Sequence, residues 1–261
     1  MCVIAICEDG KKLTREVFHQ CYDANDHGAG FAWIADGNIN FAKGFMDEKL
    51  AWRVYKRICD FPHVAHFRLA SAGDKCRELT HPFLITPESE LVLNYSGQAP
   101  VLFHNGTVTN WKTLGIMVAL ARKKATIGKV SDTRIMAIAT SMVGESALDI
   151  DSGKYVIATP GGFVTYGTVW SEKDGIKFSN LFFSFRSTYT YVNGGKGQSY
   201  IPGSYYLDEK DRVVRDYTDD ETGAIDDIPE QLRGVNEKKV ISGEGIKNEH
   251  RTYGRFFNGG K

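Results

Sequence analysis

The chain opens Met1-Cys2-Val3-Ile4-Ala5-Ile6-Cys7, and residues 2–7 (CVIAIC) read as a short buried strand. Its first reactive side chain is Cys2, directly behind the methionine. Removal of Met1 would leave a thiol and a free α-amino group on one residue. An α-amine titrates near pH ~7.7–8.0, so it can act as general base for the nucleophile beside it. The plainer reading is a small buried cysteine, and Met-Cys alone favours that reading.

Working outward, residues 14–25 read as a helix capped by Thr14, with Val17, Phe18, Cys21 and Tyr22 at helical spacing. Residues 27–44 place two strands about Asp36-Gly37, a hairpin pair. Asp47 caps a helix over 48–59, and residues 63–69 alternate as a strand. Another strand at 101–104 ends in His104-Asn105-Gly106. Asn110 caps a helix to about Lys124, and Asp132 caps another to about Val143 with Ile135, Met136, Ile138, Ala139 and Met142 as its apolar set. Strands follow at 155–159 and 163–167, and another near 181–186. Strands, then two helices, then strands again suggest an α+β fold with sheets stacked between helical layers, rather than regular βαβ alternation.

Composition removes several functions. The formal net charge of the 261 residues is zero, so there is no long-range pull toward nucleic acid or an anionic membrane surface. No apolar run approaches the ~20 residues that span a bilayer. The N-terminus has no basic region, apolar core and cleavage site, which leaves a cytoplasmic protein as the expectation. Five cysteines, an odd count without short paired spacing, do not form a disulfide framework. Cys59, His63, His66 and Cys76 contain no CxxC or HxxxH pair, so no metal site is expected. Beyond residue 193 the chain turns polar, acidic over 207–229, with scattered glycine. A domain at 1–192 and a polar, partly flexible extension at 193–261 are expected.

Four further segments carry chemistry. In His66-Phe67-Arg68-Leu69-Ala70-Ser71-Ala72-Gly73, the arginine can hold a carboxylate through two parallel hydrogen bonds, or make an ordinary salt bridge. Thr80-His81-Pro82-Phe83 could be a plain loop. In His104-Asn105-Gly106, the amide of Asn105 and the backbone N–H of Gly106 can stabilise an oxyanion, or simply form a turn. Ser131-Asp132-Thr133 stands at a helix start, where an N-cap is the common role.

Taken in order, these segments resemble the glutaminase domain of class II (N-terminal-nucleophile) glutamine amidotransferases, a family that includes glucosamine-6-phosphate synthase. There the sequence runs Met-Cys, His-x-Arg-x-Ala-Thr, His-Pro, His-Asn-Gly and Ser/Thr-Asp-Thr. The resemblance covers about residues 2–190, and Asp26-His27-Gly28-Ala29-Gly30-Phe31 resembles the family's glycine-containing element. It implies the four-layer αββα sandwich of N-terminal-nucleophile hydrolases. It also implies hydrolysis of the side-chain amide of glutamine through a Cys2 thioester, with no metal or organic cofactor. Arg68 would bind the α-carboxylate of glutamine and Asp132 its α-ammonium. Asn105 and Gly106 would form the oxyanion hole, while Ser71 (for the family's Thr) and His81 would shape the pocket.

Val3 stands where the family often has Gly, Leu69 where it has Trp, and Ala72 where it has His. Residues 193–261 are few and polar, so an acceptor synthase would be a separate partner receiving the ammonia. Two other readings are a standalone amidohydrolase acting on a γ-glutamyl-containing metabolite, and a catalytically retired binding or structural subunit.

Overall fold

The computed structural model describes residues 1–184, together with the backbone of two short strands, Tyr205–Leu207 and Val213–Arg215, which pair antiparallel. The boundary expected at 192 and the rest of the expected extension lie outside the described residues.

The first sheet is built from β1 (Val3–Cys7), β2 (Ala29–Ala35), β3 (Asn38–Phe45), β4 (His63–Phe67), β6 (Asn94–Gly97), β10 (Ser171–Lys173) and β11 (Ile176–Phe178). Its seven strands run in the order β10-β11-β1-β4-β2-β3-β6. The second sheet holds β5 (Phe83–Leu84), β7 (Val101–Asn105), β8 (Lys154–Thr159) and β9 (Gly162–Tyr166), in the order β5-β7-β8-β9. The helices are α1 (Arg15–Ala24), α2 (Glu48–Ile58), α3 (Trp111–Arg122) and α4 (Asp132–Val143).

Side chains alternate across each strand, and that alternation makes the layers. Val3, Ala5 and Cys7 of β1 pack with α1 and α2, while Ile4 and Ile6 face the second sheet. In β7, Val101 and Phe103 meet the first sheet and Leu102 meets α4. Three cores therefore separate four layers, the αββα sandwich that was expected. A strand buried on both faces reads as an unbroken apolar run, which is why residues 2–7 stand out in the sequence.

Helix starts follow their capping residues. Thr14 Oγ1 accepts from Val17 N at 3.2 Å and Asp47 Oδ1 from Leu50 N at 2.8 Å. Four expectations need correction. The cap of α4 is Ser131, whose Oγ accepts from Arg134 N at 3.2 Å, so Asp132 is the first helical residue and its carboxylate is released from capping. Asn110 holds the cap position of α3 without a side-chain bond, and that helix ends at Arg122 because Lys123 turns left-handed (φ 53°). Residues 182–184 form a 3-10 turn, not a strand; the strands near there are the short β10–β11 hairpin. Met142, placed in the apolar set of α4, is 38% exposed.

Among the described residues, no helix is long and apolar enough to cross a membrane.

Candidate active site

Cys2 immediately precedes β1, the central strand whose Val3 pairs with Phe67 at the end of β4. That register sets Cys2 beside the residues leaving β4. Its Sγ accepts from Leu69 N at 3.3 Å. Its carbonyl accepts from Asn180 Nδ2 at 2.8 Å, and Ser179 Oγ accepts from Ile4 N at 2.9 Å. Ser179 and Asn180, directly after β11, thus fix the backbone at Cys2 and the start of β1. Sequence reading missed both, because a Ser-Asn pair after a three-residue strand carries no motif.

Of the residues singled out in the sequence, Cys2, Arg68, Ser71, His81, Gly106 and Asp132 line one small cavity with about 10 Å³ of free room, space for one water. Arg68 is buried, and its guanidinium donates to the carbonyls of Asp74 at 2.8 Å and Ala72 at 3.2 Å. The loop after β4 is thereby folded over the guanidinium. Ser71 Oγ accepts from Thr107 Oγ1 at 2.7 Å, tying that loop to the one after β7.

Asp132, 5% exposed, accepts from Val108 N at 3.2 Å and Thr133 N at 2.8 Å. Neither bond neutralises its charge. The Cys2 thiol is held above its ordinary pKa by burial, which outweighs the opposing pull of the Leu69 N–H, the N-terminal ammonium and the Arg68 guanidinium, with the Asp132 carboxylate adding least.

Beneath the cavity lie three buried imidazoles. The His66 and His81 rings stack with centroids 3.9 Å apart. Thr133 Oγ1 lies 3.0 Å from His81 Nε2 and 3.1 Å from His104 Nδ1. His66 Nε2 meets the His104 carbonyl at 3.1 Å. The other ring nitrogen of each has no partner, the pattern of neutral rings with the proton on the bonded nitrogen. Burial, the first cause, pulls His66 down to about 3 and His81 well below its usual value. A Cβ on Gly106 would meet His104 Nε2 at 2.6 Å and one on Gly153 would meet it at 2.5 Å, so glycine at both positions lets the backbone lie on this ring.

Asn105 is the exception among the expected site residues. It lines a wider cleft of about 630 Å³, which Gly106 also lines. Its amide Nδ2 donates to Ser179 Oγ at 2.9 Å, and its Oδ1 is buried without a partner. Met1 sits in this wider cleft. The site therefore has two compartments: a small, charged one holding the thiol, and a wide one reached past the α-nitrogen of Cys2. Among the described residues no cluster of His, Cys, Asp and Glu is arranged to hold a metal.

No family model and no curated protein matches the chain. Among solved structures it is similar to a glutamine phosphoribosylpyrophosphate amidotransferase from B. subtilis, complexed with ADP and GMP, at 15% identity and a TM-score of 0.47. It is likewise similar to a structure described as the allosteric regulatory enzyme of purine biosynthesis, at 16% identity and a TM-score of 0.46. Each likeness covers 68% of this chain and spans 41% of the other.

Proposed function

We propose that this chain is a glutaminase domain of the class II, N-terminal-nucleophile type, which hydrolyses the side-chain amide of glutamine and of γ-glutamyl amides. The observation that carries the reading is the meeting of the Cys2 thiol, the Arg68 guanidinium and the Asp132 carboxylate in one small cavity. An amino acid's α-end needs one cation and one anion, and these two residues supply them.

Once Met1 is gone, the α-amine of Cys2 takes the Sγ proton and sulfur attacks the amide carbon. The oxyanion rests on Gly106 N–H and the Asn105 amide. Turning that amide over about χ2 would give the Ser179 hydroxyl an acceptor and leave Nδ2 as the free atom, as an oxyanion requires. Collapse expels the amine with the proton from the α-ammonium, leaving a thioester. Water, deprotonated by the same α-amine, then releases glutamate. His81 and Ser71 shape the pocket. Substrate admission requires the carbonyls of Ala72 and Asp74 to release Arg68, so the loop must open.

With glutamine, ammonia is released for a separate acceptor synthase. The wide cleft beside Cys2 favours a second reading, in which a larger amine departs.

Intact-mass analysis tests the mechanism. The protein should lack Met1 and gain one covalent adduct, on Cys2, from a diazoketone analogue of glutamine. Full activity with Met1 quantitatively retained would falsify it.

A further inference from the structure

Resting on that reading of Cys2, the geometry points to a binding site for the departing amine in the wide cleft, and so to γ-glutamyl amides of an amine larger than ammonia as the substrate class. The direction of departure follows from proton transfer. The leaving nitrogen must take its proton from the α-amine of Cys2. That nitrogen joins Cys2, in the small cavity, to Met1, in the wide cleft. Loss of Met1 leaves the α-amine facing the cleft, and the leaving group faces it too. Gly106, which lines both compartments, marks the boundary at which the scissile amide would lie.

Size is the second consideration. About 630 Å³ falls within the ~300–1,000 Å³ of small-molecule sites and far exceeds what ammonia occupies. The lining is mixed. Val169, Leu181 and Phe182 offer apolar surface, with Val169 81% and Phe182 58% exposed. Asp151 also lines the cleft. Its Oδ1 accepts from Gly153 N at 2.7 Å and Tyr155 Oη at 2.9 Å, while its Oδ2 is buried without a partner.

Backbone strain is the third, independent consideration. Val169 is β-branched yet has φ 57°, a left-handed conformation such residues rarely adopt. Lys154 Nζ donates to its carbonyl at 2.8 Å and also to the carbonyl of Ser179, bracing one wall of the cleft against the other. Strain held in place by a dedicated contact gathers at ligand sites. The amine class is therefore a primary amine with an apolar body for Val169, Leu181 and Phe182.

The reaction balances as thiol plus γ-glutamyl–NHR giving thioester plus RNH2, followed by water giving glutamate and free thiol. The test uses the full chain with Met1 removed and compares kcat/KM for L-glutamine, γ-glutamyl methylamide and γ-glutamyl benzylamide. Benzylamide turnover should exceed that of glutamine by about tenfold, the effect of ~1.4 kcal/mol of extra binding. Ser171→Trp, which fills the cleft, should erase that advantage while glutamine turnover and diazoketone labelling of Cys2 stay unchanged. Should the larger substitution fail to fold, Phe182→Ala should lower kcat/KM for the benzylamide more than for the methylamide. Labelled Cys2 with glutamine as the preferred amide, or cleft variants that lower all amides equally, would overturn the cleft assignment and leave the nucleophile assignment standing. Unlabelled Cys2 with no hydrolysis would overturn both.

Discussion

The two faces of the first sheet are filled by opposite means. Toward α1 and α2 the layer is aromatic: Phe18 meets Trp52 at 5.0 Å, Tyr55 at 5.1 Å and Phe67 at 5.0 Å between ring centroids. Its polar groups are few and paired, as where Tyr55 Oη meets His63 Nε2 at 2.9 Å. Toward the second sheet, at the Cys2 end, the layer takes in Lys43, His66 and His81, with His104, Thr133 and Asp132 beyond them on the α4 side, all nearly inaccessible. One face holds the fold by area and shape; the other spends stability on polar groups that face a cavity. Substitutions should therefore act on the first face through size and on the second through chemical type.

The largest effect belongs to the aromatic face. Phe18→Ala should cost about 3–5 kcal/mol in urea unfolding, while the folded fraction labels at Cys2 as fast as the parent protein. Slower labelling of fully folded protein would break the division. On the polar face, Thr133→Val keeps the volume but strips two ring nitrogens of their shared partner. It should cost about 1–3 kcal/mol and slow labelling of Cys2. Unchanged labelling would show that the imidazole layer only supports the fold.

Lys43 sharpens the contrast through pH. Its Nζ donates to the Pro82 carbonyl at 2.8 Å and lies 4.2 Å from the Phe83 ring centroid. Burial, followed by the charges of Arg134 and Arg68, brings it down to about 7. An unfolded lysine titrates near ~10.4, so between these values the unfolded chain holds a proton that the folded chain lacks. Stability should rise with pH across that window, by about 1.4 kcal/mol per unit at most, and the penalty is fully present below about pH 7. Urea midpoints measured from neutral pH to about pH 10 should show the rise in the parent and lose it in Lys43→Met. The smallest effect lies outside both faces. Leu120 on α3 is 73% exposed, and Leu120→Gln should change stability by no more than about 0.5 kcal/mol.

The sequence made the central strands legible because β1 and β4 are buried on both faces and so run apolar. It made Cys2, Arg68, His81, Gly106 and Asp132 legible because each sits in a short motif at the end of an element. Legibility failed where a residue's role depends on contacts remote in the chain. Nothing near Ser179 or Asn180 announces that they bind the strand that begins the protein. Asp132 was read as a cap because Asp suits that position, and only Ser131 one residue earlier relieves it. Arg134 went unremarked, yet it donates to the carbonyls of Ser89 at 2.9 Å and Lys129 at 2.6 Å and so fastens the loops around the start of α4. The β10–β11 hairpin was missed because three-residue strands are too short to show a period.

The bond from Asn180 to the Cys2 carbonyl joins residues 178 positions apart, and this orders events during synthesis. A ribosome delivers Cys2 first and Asn180 near the end of the described fold. Until Phe178 has been added the thiol travels on a chain whose β1 lacks its β11 neighbour. Met1 can be trimmed early in that interval, well before the cavity exists. The Cys2 thiol is thus made chemically long before it is aligned structurally, and a ribosome stalled short of Ser179 would carry an unassembled site.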